Sequence, residues 1–440
     1  MLIRFVVENF LSIGDELEFN LLPEQYRKTF PHHIYEDKNV RLLKTSAIYG
    51  ANGAGKSNLF AALSYLQQLV VGNHDVPKST SLLSYRLSQE KRIAPIRMEV
   101  EFIHNGYSLA YGIEFHNGIV LNEYLYELGY KNDDSLIFER KYEDGNNVLN
   151  VDRKKVFKTK NDVTFLSIVE EHFLEKNIPL LRFANVIKKP IIDAAFDWFV
   201  TGLYVITPYS KFAPIVDALS DSEFNKFANE VLNSFNTGLE KIEVETIPLE
   251  DYISDPQILD SIREKLHNNP DDRFVLDDLG ATAAIIDEKE VALKPCSYHL
   301  SENSTSVKFE LNEESDGSRR LIDYIPLFKI LMTDSTVFID EFERSIHPSL
   351  LKAMVKKILG PDSGLKGQLI FSTHDCNLLD QSIFRQDEIW FVEKNNGKTV
   401  IYPLTDFEIR QELDIKKGYI NGRFGAIPFL GNLDSLSWKY

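Results

Sequence analysis

A lysine and a serine follow a glycine-rich turn in "SAIYGANGAGKSNLF" (46–60), and two adjacent carboxylates close an apolar run in "STVFIDEFERSIHP" (335–348). Residues of these types could hold a nucleoside triphosphate and turn a water against it. Gly50, Gly53, Gly55, Lys56 and Ser57 fit the pattern G-x-x-x-x-G-K-[ST]. Glycines let the backbone curl so that its N–H groups converge on phosphate oxygens. A helix starting near Gly55 adds its positive end at the same point. The candidate phosphate-binding residues are therefore Gly50, Ala51, Asn52, Gly53, Ala54, Gly55, Lys56, Ser57 and Asn58. Lys56 is expected to reach the β- and γ-phosphates of ATP, and the Ser57 hydroxyl to ligate Mg2+. Asp340 suits the Mg2+ shell, and Glu341 suits a general base that polarises the attacking water. "LIFSTHD" (369–375) repeats the layout of an apolar strand ending in a polar group. His374 is the candidate that senses the γ-phosphate and holds the water.

These groups need a scaffold, and the hydrophobic pattern describes one. Residues 2–10, 16–21 and 44–49 read as strands, and 55–71 has helical apolar spacing through Leu59, Ala62, Leu63, Leu66 and Leu69. Alternating apolar and polar residues over 95–130 are broken by Asn105-Gly106 and Asn117-Gly118, pairs that favour tight hairpin turns. This predicts an antiparallel meander. From 162 to 290 helical spacing takes over, as in "DSEFNKFANEVLNSFN" (221–236), without sustained heptads. Strand character returns at 335–340, 367–373, 388–394 and 399–404. The runs at 336–339 and 369–371 are continuously apolar, as in strands covered on both faces. The segment 410–440, with Pro428 inside it, reads as loop-rich. The expected class is α/β: a mixed or parallel sheet core with an antiparallel meander and a helical insertion.

The chain has 440 residues, enough for a large core, and its composition is that of a globular protein: 43% hydrophobic and 26% charged. No apolar run reaches the ~20 residues of a membrane span. The start lacks a signal-peptide layout. Two cysteines without metal spacing, Cys296 and Cys376, point to the cytoplasm. The net charge of −17 disfavours a protein that coats nucleic acid, so any DNA or RNA contact needs a local patch. "DRKKVFKTK" (152–160), the densest basic run, reads as a solvated hairpin, with a phosphate-contacting patch as the alternative. His32-His33 reads as a surface loop pair.

Between the P-loop and the carboxylate strand, "ESDGSRRLIDYIPL" (314–327) resembles the signature of ABC-type ATPases, with Asp316 in place of a glycine and Ser318 where glutamine is common. P-loop, signature, Asp-Glu strand and His-bearing switch follow one another in the ABC order. The finer resemblance is to the AAA-15/AAA-21 group of ABC-like ATPases, which includes RloA, AbiL, AriA of PARIS, PtuA of Septu and the ATPase half of OLD nucleases. It is carried by "MLIRFVVENFLSIGDELEFN" (1–20), "SAIYGANGAGKSNLFAAL" (46–63), the meander through "LIFERK" (136–141), "DGSRRL" (316–321), "FIDEFERSIHP" (338–348), "STHD" (372–375) and "GYINGRFGAIPFL" (418–430). The resemblance implies an ABC-type head built from two halves, 1–161 and 291–440, around the insert 162–290. It also implies a homo-oligomer, dimer or larger, in which Ser315 and Gly317 reach the ATP of a second copy. Ile346-His347-Pro348 fits the loop after the catalytic glutamate. Gln89 is one candidate for the glutamine loop.

Three uses of such a switch compete. The first is an anti-phage sensor and scaffold that controls a separate effector, such as a nuclease encoded nearby. The second is a DNA-repair ATPase like RecF or the SMC proteins. The third is an OLD-like nuclease component. The third is disfavoured because the stretch after His374 is short for a Toprim domain and carries no Asp-x-Asp pair. The second lacks coiled-coil arms and a basic surface.

Overall fold

The computed structural model describes all residues except 38, 131, 171–173, 209–214, 236–237, 278, 409–413 and 428–440. Pro428 and most of the loop-rich C-terminal segment thus lie outside the described residues. The chain divides into two compact units. One comprises Met1–Pro208, Thr333–Phe342 and Lys356–Tyr440; the other comprises Tyr209–Met332 and Glu343–Val355.

The first unit is built on a six-stranded sheet. In spatial order its strands are Leu203–Ile206, Thr336–Ile339, Gln368–Thr373, Thr45–Gly50, Ile389–Asn395 and Lys398–Pro403. The first five run parallel and the last antiparallel. The three central strands are buried along their whole length. This is why their sequences read as unbroken apolar runs rather than alternations. Their order places the strand before the glycine turn beside the strand before His374, which in turn lies beside the Asp340 strand.

A seven-stranded antiparallel sheet holds the meander, in the order 146–151, 135–143, 119–127, 107–116, 96–104, 2–8 and 17–20. The Asn-Gly pairs turn as the sequence predicts. Asn105 and Gly106 have φ of 48° and 80°, Asn117 and Gly118 of 42° and 78°. Paired positive φ values suit the right-handed twist of hairpin strands, and asparagine and glycine tolerate them best. The helix Lys56–Val71 buries Leu59, Phe60, Leu63, Leu66, Leu69 and Val70 in a core shared with both sheets. Phe60 meets Phe338 edge-on, with ring centroids 5.4 Å apart. That contact ties the helix after the glycine turn to the carboxylate strand.

The second unit contains an antiparallel sheet in the order 239–248, 289–300, 282–286 and 274–275, with 306–310 pairing the second half of the long strand, residues 296–300. The helices Ser222–Ser234, Pro256–Asn268 and Asp316–Ile330 belong to it.

Three expectations need correction. The span 162–290 carries helices but also strands, including Leu203–Ile206 and Leu239–Pro248. "LEKIEVETIP" (239–248) pairs in register with residues 291–299. Its strand state is thus fixed by a partner outside the span, beyond what local helical spacing reveals. The basic run 152–160 is a turn rather than a hairpin. Asp152 Oδ1 accepts from the N–H groups of Lys154 and Lys155, and Phe157 is buried. His33 is not a surface residue. Its Nδ1 lies 2.9 Å from the buried Glu388 carboxylate and its Nε2 3.1 Å from the Leu359 carbonyl oxygen. Among the described residues no helix is long and apolar enough to cross a membrane.

Candidate functional site

The strand Thr45–Gly50 must end in glycine for steric reasons. A Cβ on Gly50 would stand 2.3 Å from the Val392 carbonyl oxygen of the neighbouring strand. The turn then passes through Gly53 and Gly55, with φ of 77° and 109°. The helix begins at Lys56 with Gly55 as its cap, a residue with no side chain to accept from the first N–H groups. Those donors, at the positive end of a 16-residue helix, form a ready seat for an anion.

Lys56 is buried, and its ammonium donates to the Gly50 carbonyl at 2.8 Å and the Ala51 carbonyl at 3.3 Å. It also lies 3.1 Å from His374 Nε2. The glycine turn and the histidine strand end, more than 300 residues apart in sequence, therefore meet. The Ser57 side chain is exposed at the first turn of the helix.

Asp340 is 2% exposed and sits at the C-terminal end of its strand. Ser372 Oγ donates to Asp340 Oδ1 at 2.5 Å and accepts from the Glu341 backbone N–H at 2.8 Å. Phe342 N–H bonds to the Ser372 carbonyl. Glu341 itself has φ 53°, a left-handed conformation that is rare for a side chain of its size. Such outliers persist where surrounding bonds over-determine them, and they cluster at functional sites. Ser372 was visible in "STHD", but its link to both acids follows only from the strand order.

Ser315 and Gly317 lie in the second unit, at the start of the helix Asp316–Ile330. Ser315 is the N-cap and accepts from the Ser318 N–H at 3.1 Å. Ser315 and Asp316 are exposed and Gly317 is half-buried, so this helix start faces solvent. A Cβ on Gly317 would approach the Ser345 carbonyl oxygen to 3.0 Å. The preceding Glu314 is buried and takes bonds from Ser297 Oγ and His299 Nε2, which anchors the turn from behind. His347 is exposed in the same unit, and Gln89 is exposed on the short helix Gln89–Ile93 of the first.

Beside the glycine turn a cavity of about 510 Å3 opens between Leu11, Ser12, Asn58, Tyr85, Leu87 and Lys394. Burial pushes the Lys394 ammonium below its ordinary pKa. Sequence reasoning did not find Ser12, Lys394 or Thr399 at this site. Asn58 Nδ2 donates to Ser12 Oγ. Thr399 bonds to the Ala54 carbonyl from 345 residues away, and no local pattern announces such a contact.

The family model described as "AAA domain, putative AbiEii toxin, Type IV TA system" matches residues 46–197 and 204–380, most of the chain. The chain belongs to this AAA-21 family. By that family it is a P-loop ATPase of the AAA type, a family that implies nucleotide binding. Solved structures similar to this AAA-21 chain include SMC heads. The head bound to the C-winged helix domain of ScpA shares 12% identity at TM-score 0.42, covering 94% of this chain and 99% of that one. The Thermotoga maritima SMC head shares 13% at 0.38, covering 93% and 99%. A Pyrococcus furiosus head with an extended coiled coil, bound to the C-terminal domain of ScpA, shares 14% at 0.41, covering 92% and 97%. Likenesses this remote say nothing about function. No curated protein matches the chain.

Proposed function

We propose that this AAA-21 chain hydrolyses ATP in pockets shared between two copies of itself. In this reading the backbone of Gly50–Gly55 and Lys56 cradles the phosphates, and the cavity beside Asn58 receives the nucleoside. The donor set fits a hard divalent cation: the Ser57 hydroxyl and the buried Asp340 carboxylate would hold Mg2+, which when bound offsets phosphate charge. Glu341 polarises the attacking water, and His374 steers it towards the γ-phosphate. Ser315 and Gly317 act on the second copy's ATP. The observation that carries the reading is the convergence of Lys56, His374, Ser372, Asp340 and Glu341 at the ends of three adjacent parallel strands. Ligands of open α/β sheets bind at that end. We further propose that two ATPase halves, 1–161 and 291–440, flank the insert 162–290.

The energy drives a conformational cycle: ATP favours closed copies, and hydrolysis parts them. We assign this switch to the sensor and scaffold of an anti-phage defence system in the cytoplasm, holding or releasing a separate effector of the nuclease class. The acidic net charge of −17 supports that use.

Two measurements test these claims. Glu341→Gln should lower turnover by roughly 10²- to 10⁴-fold while retaining ATP and trapping an oligomer, and Lys56→Ala should lose ATP binding. Parental turnover by Glu341→Gln would refute the mechanism. For the defence role, the chain should co-purify with the product of a neighbouring effector gene in an ATP-dependent manner. Tight, salt-sensitive binding of DNA ends by the chain alone would point to repair instead.

A further inference from the structure

The P-loop is braced from behind by residues that no nucleotide-binding pattern includes. Thr399 lies on the antiparallel edge strand Lys398–Pro403 and is 4% exposed. Its Oγ1 has three polar neighbours: the Ala54 carbonyl oxygen at 2.9 Å, Lys394 Nζ at 2.9 Å and Ser12 Oγ at 2.7 Å; Asn58 joins the chain one step further out, through Ser12. The backbone joins the same elements, because Thr399 N–H donates to the Ser12 carbonyl at 2.8 Å.

Counting protons fixes the direction of this chain. An ammonium and an amide Nδ2 can only donate, and a carbonyl can only accept. Thr399 has one hydroxyl proton, and the Ala54 carbonyl can use nothing else from it. Thr399 therefore donates to Ala54 and accepts from Lys394 and Ser12. Ser12 spends its own proton on Thr399 and accepts from Asn58. Every hydroxyl proton runs towards the P-loop carbonyl, with a positive charge at the head of the chain. The Ala54 carbonyl shares its peptide group with the N–H of Gly55, the residue that caps the P-loop helix. Bonds in such a series polarise one another, so a carbonyl that accepts strengthens the N–H of its own peptide as a donor. The fit is also steric, since a Cβ on Gly55 would meet Thr399 Oγ1 at 2.0 Å.

We propose that Thr399 is a positioning residue for nucleotide binding: together with Ser12 and Lys394 it orients and polarises the Ala54–Gly55 peptide, so that the Gly55 N–H is aimed at a phosphate. This rests on the reading of the site as one that binds ATP. It makes the hairpin 389–403, rather than the P-loop alone, responsible for phosphate affinity.

The test uses the full chain, calorimetric titration with MgATP, turnover, and thermal unfolding. Thr399→Val keeps the shape and removes the hydroxyl. It should weaken MgATP binding about tenfold, the size expected for one hydrogen bond to a polarised group. Thr399→Ser should restore affinity to within about threefold, because it returns the proton. kcat at saturating MgATP should change less than KM, since the brace acts on binding rather than on the water. Ser12→Ala, made from the other side, should weaken binding in the same direction. Combined with Thr399→Val it should cost less than the two separate losses together, as expected of one chain. Parental affinity in Thr399→Val would overturn the proposal. So would a Thr399→Ser variant as weak as valine, or loss of affinity that merely follows the unfolding midpoint. If the parental chain itself takes up no MgATP, the nucleotide reading fails as a whole. That outcome is distinct from a parental chain that binds and a valine variant that binds equally well.

Discussion

At the residue scale, the informative group is Ser372, because one hydroxyl serves both acids. Its proton goes to Asp340 and its lone pair takes the Glu341 N–H. Removing it leaves a buried carboxylate one partner short and frees a backbone held at φ 53°. Ser372→Ala should therefore lower kcat by roughly 10- to 100-fold through a misplaced Glu341, while ATP affinity, set by the P-loop and the hairpin that braces it, falls by less than about fivefold. Paired measurements of kcat and Kd check this; equal losses in both would show that the serine only supports the fold. The left-handed backbone makes a second, sharper point. Glu341→Gly relieves the strain, so it should fold at least as stably as the parent yet be as inactive as Glu341→Gln. Thermal unfolding and turnover measured together decide it.

At the element scale, the glycines of the turn do different jobs. Gly50 is flanked by Val392 backbone, which cannot yield without opening the sheet. Gly53 has φ 77° but nothing within 4 Å of a would-be Cβ. Gly50→Ala should thus destabilise the chain by about 2–4 kcal/mol, whereas Gly53→Ala should cost only about 1 kcal/mol. Denaturant unfolding of the two variants checks the ranking. The same contrast explains what was legible in the sequence. The P-loop, the paired Asn-Gly turns and the carboxylate strand were readable because their signals are local: φ requirements, period and apolar runs. The strand at 239–248 was missed because its state depends on residues 291–299, and Ile242 and Val244 alone fit either a helix or a strand face. His33 was misplaced for a related reason. A histidine reads as a surface residue until Glu388, 355 residues away, arrives to pair with it.

At the scale of the whole molecule, the proposed shared pocket makes a prediction that no single chain can satisfy. A chain carrying Lys56→Ala keeps its signature, and one carrying Ser315→Arg keeps its P-loop. Each alone should be inactive. Mixed in equal amounts, half of the dimers would be mixed, and each would contain one intact composite site of two, so about a quarter of parental turnover should return. Recovery close to zero would mean that Ser315 and Gly317 serve their own chain. The exposed, N-capped start of the helix Asp316–Ile330 is the feature that makes such reach sterically open.

The strand order also sets a timetable. Thr45–Gly50 is hydrogen-bonded on one side to Gln368–Thr373 and on the other to Ile389–Asn395, and Thr45 meets the Leu369 carbonyl across 324 residues. At ~5–20 residues per second a ribosome needs on the order of 15–60 s to deliver that partner. Through that interval the apolar strand that leads into the P-loop has neither of its neighbours. A nascent chain of this family thus spends most of its translation unable to hold a nucleotide, with an aggregation-prone edge in need of shelter.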